Sequence, residues 1–263
     1  MQLTQKLKKV EAFSKDYAAL IRSDTIAFKE AKSWERVREN WWYALSFYFD
    51  RVYYQGRNDK LSGYFERAAI KALETVLVGA SSNDKLSSLK RLRGWLEPGQ
   101  RNTKGNPFWN ALSKKYDIGK NKEYGTGRER DREMVLDSLQ FVVSECKDYN
   151  ILEYSIQQVQ NHNIADLSRK LHGITSVKNK TASFFLRDTV FVYDLEAYLK
   201  AEDYYYLVPI DTWVKKVADK LGIKANAKDI AITCQQNGVS PIRFNQGAWY
   251  LGSHSLTILL DRL

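Results

Sequence analysis

Residues 163–188 read NIADLSRKLHGITSVKNKTASFFLRD. The stretch parses as a helix opened by Asn163 as N-cap, a tight connection running through Gly173 to Asn179, and a second helix starting at Lys180. The spacing predicts helix, hairpin, helix. A short connection leading into a helix N-terminus points several backbone N–H groups the same way, and such groups hold one phosphate without reading any base.

The flanking sequence is helical too. Apolar residues recur at three- and four-residue intervals, as in Leu3, Leu7, Val10, Phe13, Tyr17 and Leu20, and again in Phe65, Ala69, Leu73, Val76 and Leu77. Further helices are expected near 34–54, 84–96, 107–116, 131–147, 151–160, 163–171, 180–200, 212–221, 227–237 and 244–262. The one tempting strand is Tyr204 to Val208. The pattern therefore predicts an all-α chain, with no repeat of the kind a solenoid requires.

The chain has 263 residues, 44% of them apolar and 13% aromatic, enough to bury the core of one large domain or two lobes. No apolar run approaches the roughly 18 residues of a membrane span. The opening MQLTQKLKKVEAF is charged and amphipathic, unlike a secretory signal, so an intracellular location is expected. Cys146 and Cys234 stand alone in sequence, and His162, His172 and His254 form no ligand spacing. No disulfide framework, four-cysteine metal site or iron–sulfur cluster can be built from them, and the expected cofactor count is none.

The 41 Lys and Arg outnumber the 31 Asp and Glu, giving a formal net charge of +10. Such a surplus favours a polyanionic partner, because cations that neutralise phosphates release condensed counterions. Colloidal solubility and anionic lipid remain open on charge alone. The segment from Pro98 to Glu133 is rich in glycine and in cations, including Arg101, Lys104, Lys114, Lys115, Lys120, Lys122, Arg128, Arg130 and Arg132. It reads as a solvated loop around one short helix near Phe108 to Tyr116, with a minority of its side chains available to phosphate.

Downstream of the hairpin, VPIDTWVKKVADKLG places Pro209 before Asp211, a polar N-cap, and then an amphipathic helix closed by Gly222. A carboxylate held at a helix N-terminus stays ionised and fixed in direction, which suits it to stabilise a developing positive charge.

The pairing of KTASFFLRD with VPIDTWV resembles the helix-hairpin-helix DNA glycosylases, the family that also holds endonuclease III and the eukaryotic 8-oxoguanine glycosylase. Lys180 matches the family's catalytic lysine and Asp211 its invariant aspartate. Gln55, in YYQGRND, resembles the glutamine that enters DNA near the flipped nucleotide. The C-terminal FNQGAWYLGSHSLTILLD is most similar to the archaeal-type 8-oxoguanine glycosylases, where an aromatic residue stacks on the base. By that resemblance Trp249 forms one face of the base pocket and Phe184 the other, with Gln55 beside them. Ser176, Val177, Lys178 and Asn179 form the phosphate-binding turn. Trp213 reads as core.

The sequence also departs from the family. The usual hairpin has glycines four and two residues before the lysine, where this chain has Ser176 and Lys178. The four-cysteine cluster motif of endonuclease III is absent.

The resemblance implies a two-lobed helical fold with the active site in the cleft between lobes. One lobe would be 1–60 with 200–263, the other 61–199. It implies a monomeric base-excision glycosylase with lyase activity that acts on double-stranded DNA containing a damaged base, 8-oxoguanine first among the candidates. The base is extruded, the Lys180 amine attacks C1′, Asp211 stabilises charge on the sugar, and the Schiff base permits β-elimination. A lysine attacks only as the neutral amine, a form that burial or a neighbouring cation favours. Alternatives are a glycosylase of the same fold for another base, a non-catalytic DNA-binding protein, or a basic helical scaffold for protein or membrane.

Overall fold

The computed structural model describes residues 2–54, 59–101, 103–119 and 122–254. Its regular structure is mostly helical, and its strands, Tyr116–Asp117 and Glu123–Tyr124, form one antiparallel ribbon with Tyr116 opposite Tyr124. The chain divides into two compact units. The first contains residues 1–29, 155–168 and 179–263, and the second contains 30–154 and 169–178. These boundaries differ from lobes drawn at 60 and 200. The helices Trp41–Val52 and Asn179–Val192 each fall in the unit opposite to the one that division assigns them.

In the first unit, Leu7 and Val10 from the helix Leu3–Ala12 share a core with Val214, Val217 and Ala218 of Thr212–Lys220, Ile230 and Cys234 of Ala227–Gln236, and Phe244, Ala248 and Leu251 of Pro241–His254. The three- and four-residue spacing on each helix makes one continuous apolar stripe, and burying those stripes against each other is what stabilises the unit. Gly247 permits the closest approach. A Cβ at that position would overlap the Val10 carbonyl.

The second unit is built around the aromatic helix Trp41–Val52, whose Phe47, Tyr48 and Phe49 are fully buried. Its start is fixed by Asn40, whose Oδ1 accepts from the Trp42 and Tyr43 amides at 3.0 and 3.4 Å. Comparable caps open Ser82–Leu92, through the reciprocal Ser81–Asp84 box, and Pro107–Leu112, through Asn106.

Three expected elements are revised. Tyr204 to Val208 is not a strand, because residues Ala201–Tyr206 form a 3-10 helix whose Asp203 carboxylate accepts the Lys200 N–H at 2.8 Å. The helix expected to reach 116 stops at Leu112, and Tyr116 enters the ribbon instead. The helix expected to reach 200 stops at Val192, just before Asp194 turns into left-handed backbone at φ 52°. The C-terminal helix begins at Pro241, and its expected portion beyond residue 254 lies outside the described residues. Cys146 and Cys234 are buried as free thiols. No described helix is long and apolar enough to cross a membrane.

Candidate functional site

Lys180 stands in the first turn of the helix Asn179–Val192 and is half-buried, whereas every residue from Thr181 to Val190 is buried. A residue four positions on lies over the same face of a helix. Accordingly the Lys180 Nζ sits 5.6 Å from the ring centre of Phe184, which is only 7% exposed. The proposed nucleophile and one proposed stacking face thus share one side of one helix. From the next turn, the Arg187 guanidinium carbon lies 4.9 Å from the same ring centre.

Asp211 caps the helix Thr212–Lys220. Its Oδ1 accepts from the Trp213 and Val214 amides at 3.0 and 2.8 Å, leaving Oδ2 outside the cap. The carboxylate is half-buried and held in direction by two hydrogen bonds on one oxygen. One oxygen therefore serves the cap while the other is left outside it. Trp213, expected in the core, is only half-buried and carries the Lys216 ammonium 4.5 Å from its ring centre.

The helix bearing Lys180 is tied to the segment leading into Asp211 by side chains that the sequence reading did not single out. Arg187 is fully buried and donates through one terminal nitrogen to Asn245 Oδ1 at 2.7 Å. Asn245 in turn donates to the Pro209 carbonyl at 3.0 Å, two residues before Asp211. Arg187 Nε donates to Asp188 Oδ1 at 2.8 Å, its other terminal nitrogen donates to the Tyr17 hydroxyl, and that hydroxyl donates to Asp188 Oδ2 at 2.9 Å. Tyr17 meets Trp249 edge to face, with ring centres 5.5 Å apart. Lys180, Phe184, Asp211 and Trp249 thus sit on elements of the first unit that one buried network of Arg187, Asp188, Tyr17 and Asn245 joins.

The signal for that network was present but weak. An adjacent Arg–Asp pair inside FFLRDTVF is unusual on an otherwise apolar stretch, because buried charge is tolerated only when paired. Its partners at 17 and 245 carry no local pattern.

The hairpin lies in the second unit as far as Lys178, and Asn179 is the first residue of the following helix. Ser176 adopts left-handed backbone, φ 63°. That conformation costs a non-glycine residue about 1–2 kcal/mol, so the turn keeps a glycine-like path with a serine in it. Val177 is buried, with its N–H donating to the Ile174 carbonyl at 3.1 Å, and the Thr175 N–H donates to Asp137 Oδ2 at 2.9 Å. Asp137 also pairs with Arg101. Lys178 is exposed and its Nζ donates to the His172 carbonyl at 3.3 Å. Burial, and then the Lys178 ammonium, hold the His172 imidazole below its ordinary range, which keeps the ring neutral at pH 7.

Gln55 lies outside the described residues. Among the described residues no group of three His, Cys, Asp or Glu side chains is placed to hold a metal ion. Burial pushes both cysteine thiols up, which makes them poor nucleophiles. No family model, curated protein or solved structure matches the chain.

Proposed function

We propose that this protein is a base-excision DNA glycosylase with lyase activity, built on the two-lobed helical fold of the helix-hairpin-helix glycosylases. Its substrate is duplex DNA carrying an oxidised base, with 8-oxoguanine the first candidate. The observation that carries the reading is the buried link from Arg187 through Asn245 to the Pro209 carbonyl, which ties the helix of Lys180 to the approach to Asp211. Two further features support it. Phe184 shares a helix face with Lys180, and Ser176 takes left-handed backbone in the turn before that helix.

Each residue has a definite task in this reading. The backbone of Ser176 to Asn179 receives a phosphate, helped by the unsatisfied N–H groups that begin any helix. The flipped base stacks between Phe184 and Trp249, with Gln55 filling its place in the duplex. The neutral Lys180 amine forms a bond to C1′ as the bond to the base breaks, and the base leaves with the electron pair and takes up a proton. Asp211 stabilises the positive charge that builds on the sugar. The sugar ring then opens to a Schiff base, and loss of a C2′ proton expels the 3′ phosphate.

A panel of duplexes, each with a single lesion, tests the activity. One oxidised-base duplex should be incised, and Asp211→Asn should lower the single-turnover rate at least 100-fold while the melting temperature stays within a few degrees, since Asn also caps helices. A panel with no incised duplex, or an unchanged rate in the Asn variant, overturns the assignment.

A further inference from the structure

The excess positive charge is unevenly divided. The second unit carries 25 Lys and Arg against 18 Asp and Glu, and the first carries 16 against 13. Much of the surplus in the second unit falls within 98–132, the segment that the sequence reading left mainly to solvent.

The described residues of that segment form a hydrogen-bonded platform. The ribbon Tyr116–Asp117 with Glu123–Tyr124 is fastened on several sides: Lys71 Nζ donates to the Asp117 carbonyl at 2.6 Å, the Tyr116 hydroxyl donates to the Ala111 carbonyl at 3.0 Å, and the Thr126 hydroxyl donates to the Leu112 carbonyl at 2.7 Å. Tyr124 packs on Tyr64 with ring centres 4.5 Å apart. Around it Lys104, Lys114, Lys115, Lys122 and Arg130 are exposed, and none has a carboxylate partner among the described residues. The neighbouring acids are partly committed elsewhere. Asp131 is buried and accepts the Arg128 N–H at 2.7 Å, and Asp117 Oδ1 accepts the Gly119 N–H at 2.8 Å.

The platform is continuous with the hairpin. Asp137 accepts the Thr175 N–H and pairs with Arg101. The Lys104 carbonyl accepts from Asn110 on the helix Pro107–Leu112 at 3.0 Å, and Ser113, just after that helix, accepts from Arg132 at 3.1 Å. The Arg132 guanidinium carbon also lies over the ring of Trp109, a residue of that helix, 4.9 Å from its centre. Arg101 Nε also donates to the Leu96 carbonyl at 2.7 Å, and Asn106, the cap of that helix, donates to the Trp95 and Gln100 carbonyls at 2.7 and 3.1 Å. Contacts therefore run from the turn at Thr175 to the helix that ends two residues before Lys114, all within the second unit.

We propose that this surface is a second DNA-backbone contact, in which Lys104, Lys114, Lys115, Lys122 and Arg130 extend the grip of the hairpin along the duplex without reading sequence. Each phosphate contact made by an exposed lysine or arginine releases about 0.9 of a condensed counterion, and that release opposes the entropy lost when the side chain is ordered. The inference rests on the proposed glycosylase reading for its partner, and the two are separable by experiment.

The test compares the wild-type chain with the combined variant Lys114→Gln, Lys115→Gln, Lys122→Gln and Arg130→Gln. None of these residues is assigned a part in the chemistry. Binding to an undamaged duplex is measured across salt concentrations, alongside the single-turnover rate on the incised duplex at saturating protein. The expected result is a slope of log affinity on log salt that is shallower by about 3–4, following the loss of four phosphate contacts, with the saturated rate unchanged and the thermal unfolding curve intact. A wild-type slope retained by a folded variant overturns the second contact but leaves the glycosylase reading in place. Vesicles of phosphatidylserine serve as the competing polyanion. Loss of vesicle binding in the variant with no change in its DNA slope would also overturn the inference.

Discussion

The two units each bury ionisable side chains, and they do so in opposite ways. In the first, Arg187 and Asp188 are both fully buried, and the Arg187 nitrogens find Asp188, Asn245 and the Tyr17 hydroxyl. In the second, Glu66 on the helix Asp59–Val76 is 1% exposed, yet its Oε1 has no hydrogen-bond partner among the described residues, and neither has the hydroxyl of Ser62 one turn earlier. Burial, and then the nearby Asp50 carboxylate, push Glu66 well above the usual carboxylate range, and Glu30 is raised as well. A complete network fixes geometry, whereas an incomplete one makes stability depend on protonation. The complete network is the one that connects the proposed catalytic elements.

The sharpest way to break the contrast is to remove one partner from the complete side. Arg187→Met leaves Asp188 buried without its counter-charge and should cost about 3–5 kcal/mol in denaturant unfolding. A cost below about 1 kcal/mol would mean that the network does not organise the unit.

On the incomplete side the effect should be smaller and should depend on pH. A carboxyl raised in the folded state contributes stability that is present in full below its unfolded value of 4.5 and is lost as pH rises through its folded value. The Glu66 contribution to stability should therefore decline as pH rises above 4.5. Glu66→Gln should flatten that decline, with a gain on the order of 1 kcal/mol at neutral pH and little change at pH 4. Parallel pH profiles for the two chains would remove Glu66 from the account.

The smallest effect belongs to the hairpin. Relief of the left-handed strain in Ser176→Gly is partly offset by the entropy of glycine in the unfolded chain, leaving a net gain of about 0.5 kcal/mol. Ser176→Val should go the other way. If calorimetry ranks valine above glycine, the turn does not take the left-handed path.

These contrasts also show what the sequence could carry. Spacing at three and four residues located most helix starts to within a few positions, because each helix must bury one stripe along its own length, whereas the ends at 116 and 200 were overshot. The ribbon escaped notice, since two-residue strands are too short for alternation to register, and its order comes from Lys71 and Tyr64, far away in the chain. The helix starts at Asn179 and Thr212 were legible in the sequence, the second through Asp211 as a polar cap, whereas the role given to Lys180 came from the resemblance alone. The Arg187 network was not, because Tyr17, Arg187 and Asn245 meet only after folding. Ser176 is instructive in a third way. Its identity argued against a glycine-type turn, and its backbone adopts one.

Everything assigned to the site depends on one amine. Borohydride reduction of the protein on duplex DNA carrying an abasic site traps a Schiff base as a stable covalent complex and reports that amine directly. The wild-type chain should be trapped, and Lys180→Gln should abolish trapping while leaving the unfolding transition in place. A Lys180→Gln protein that still cross-links at the wild-type rate would place the nucleophile elsewhere and contradict the account.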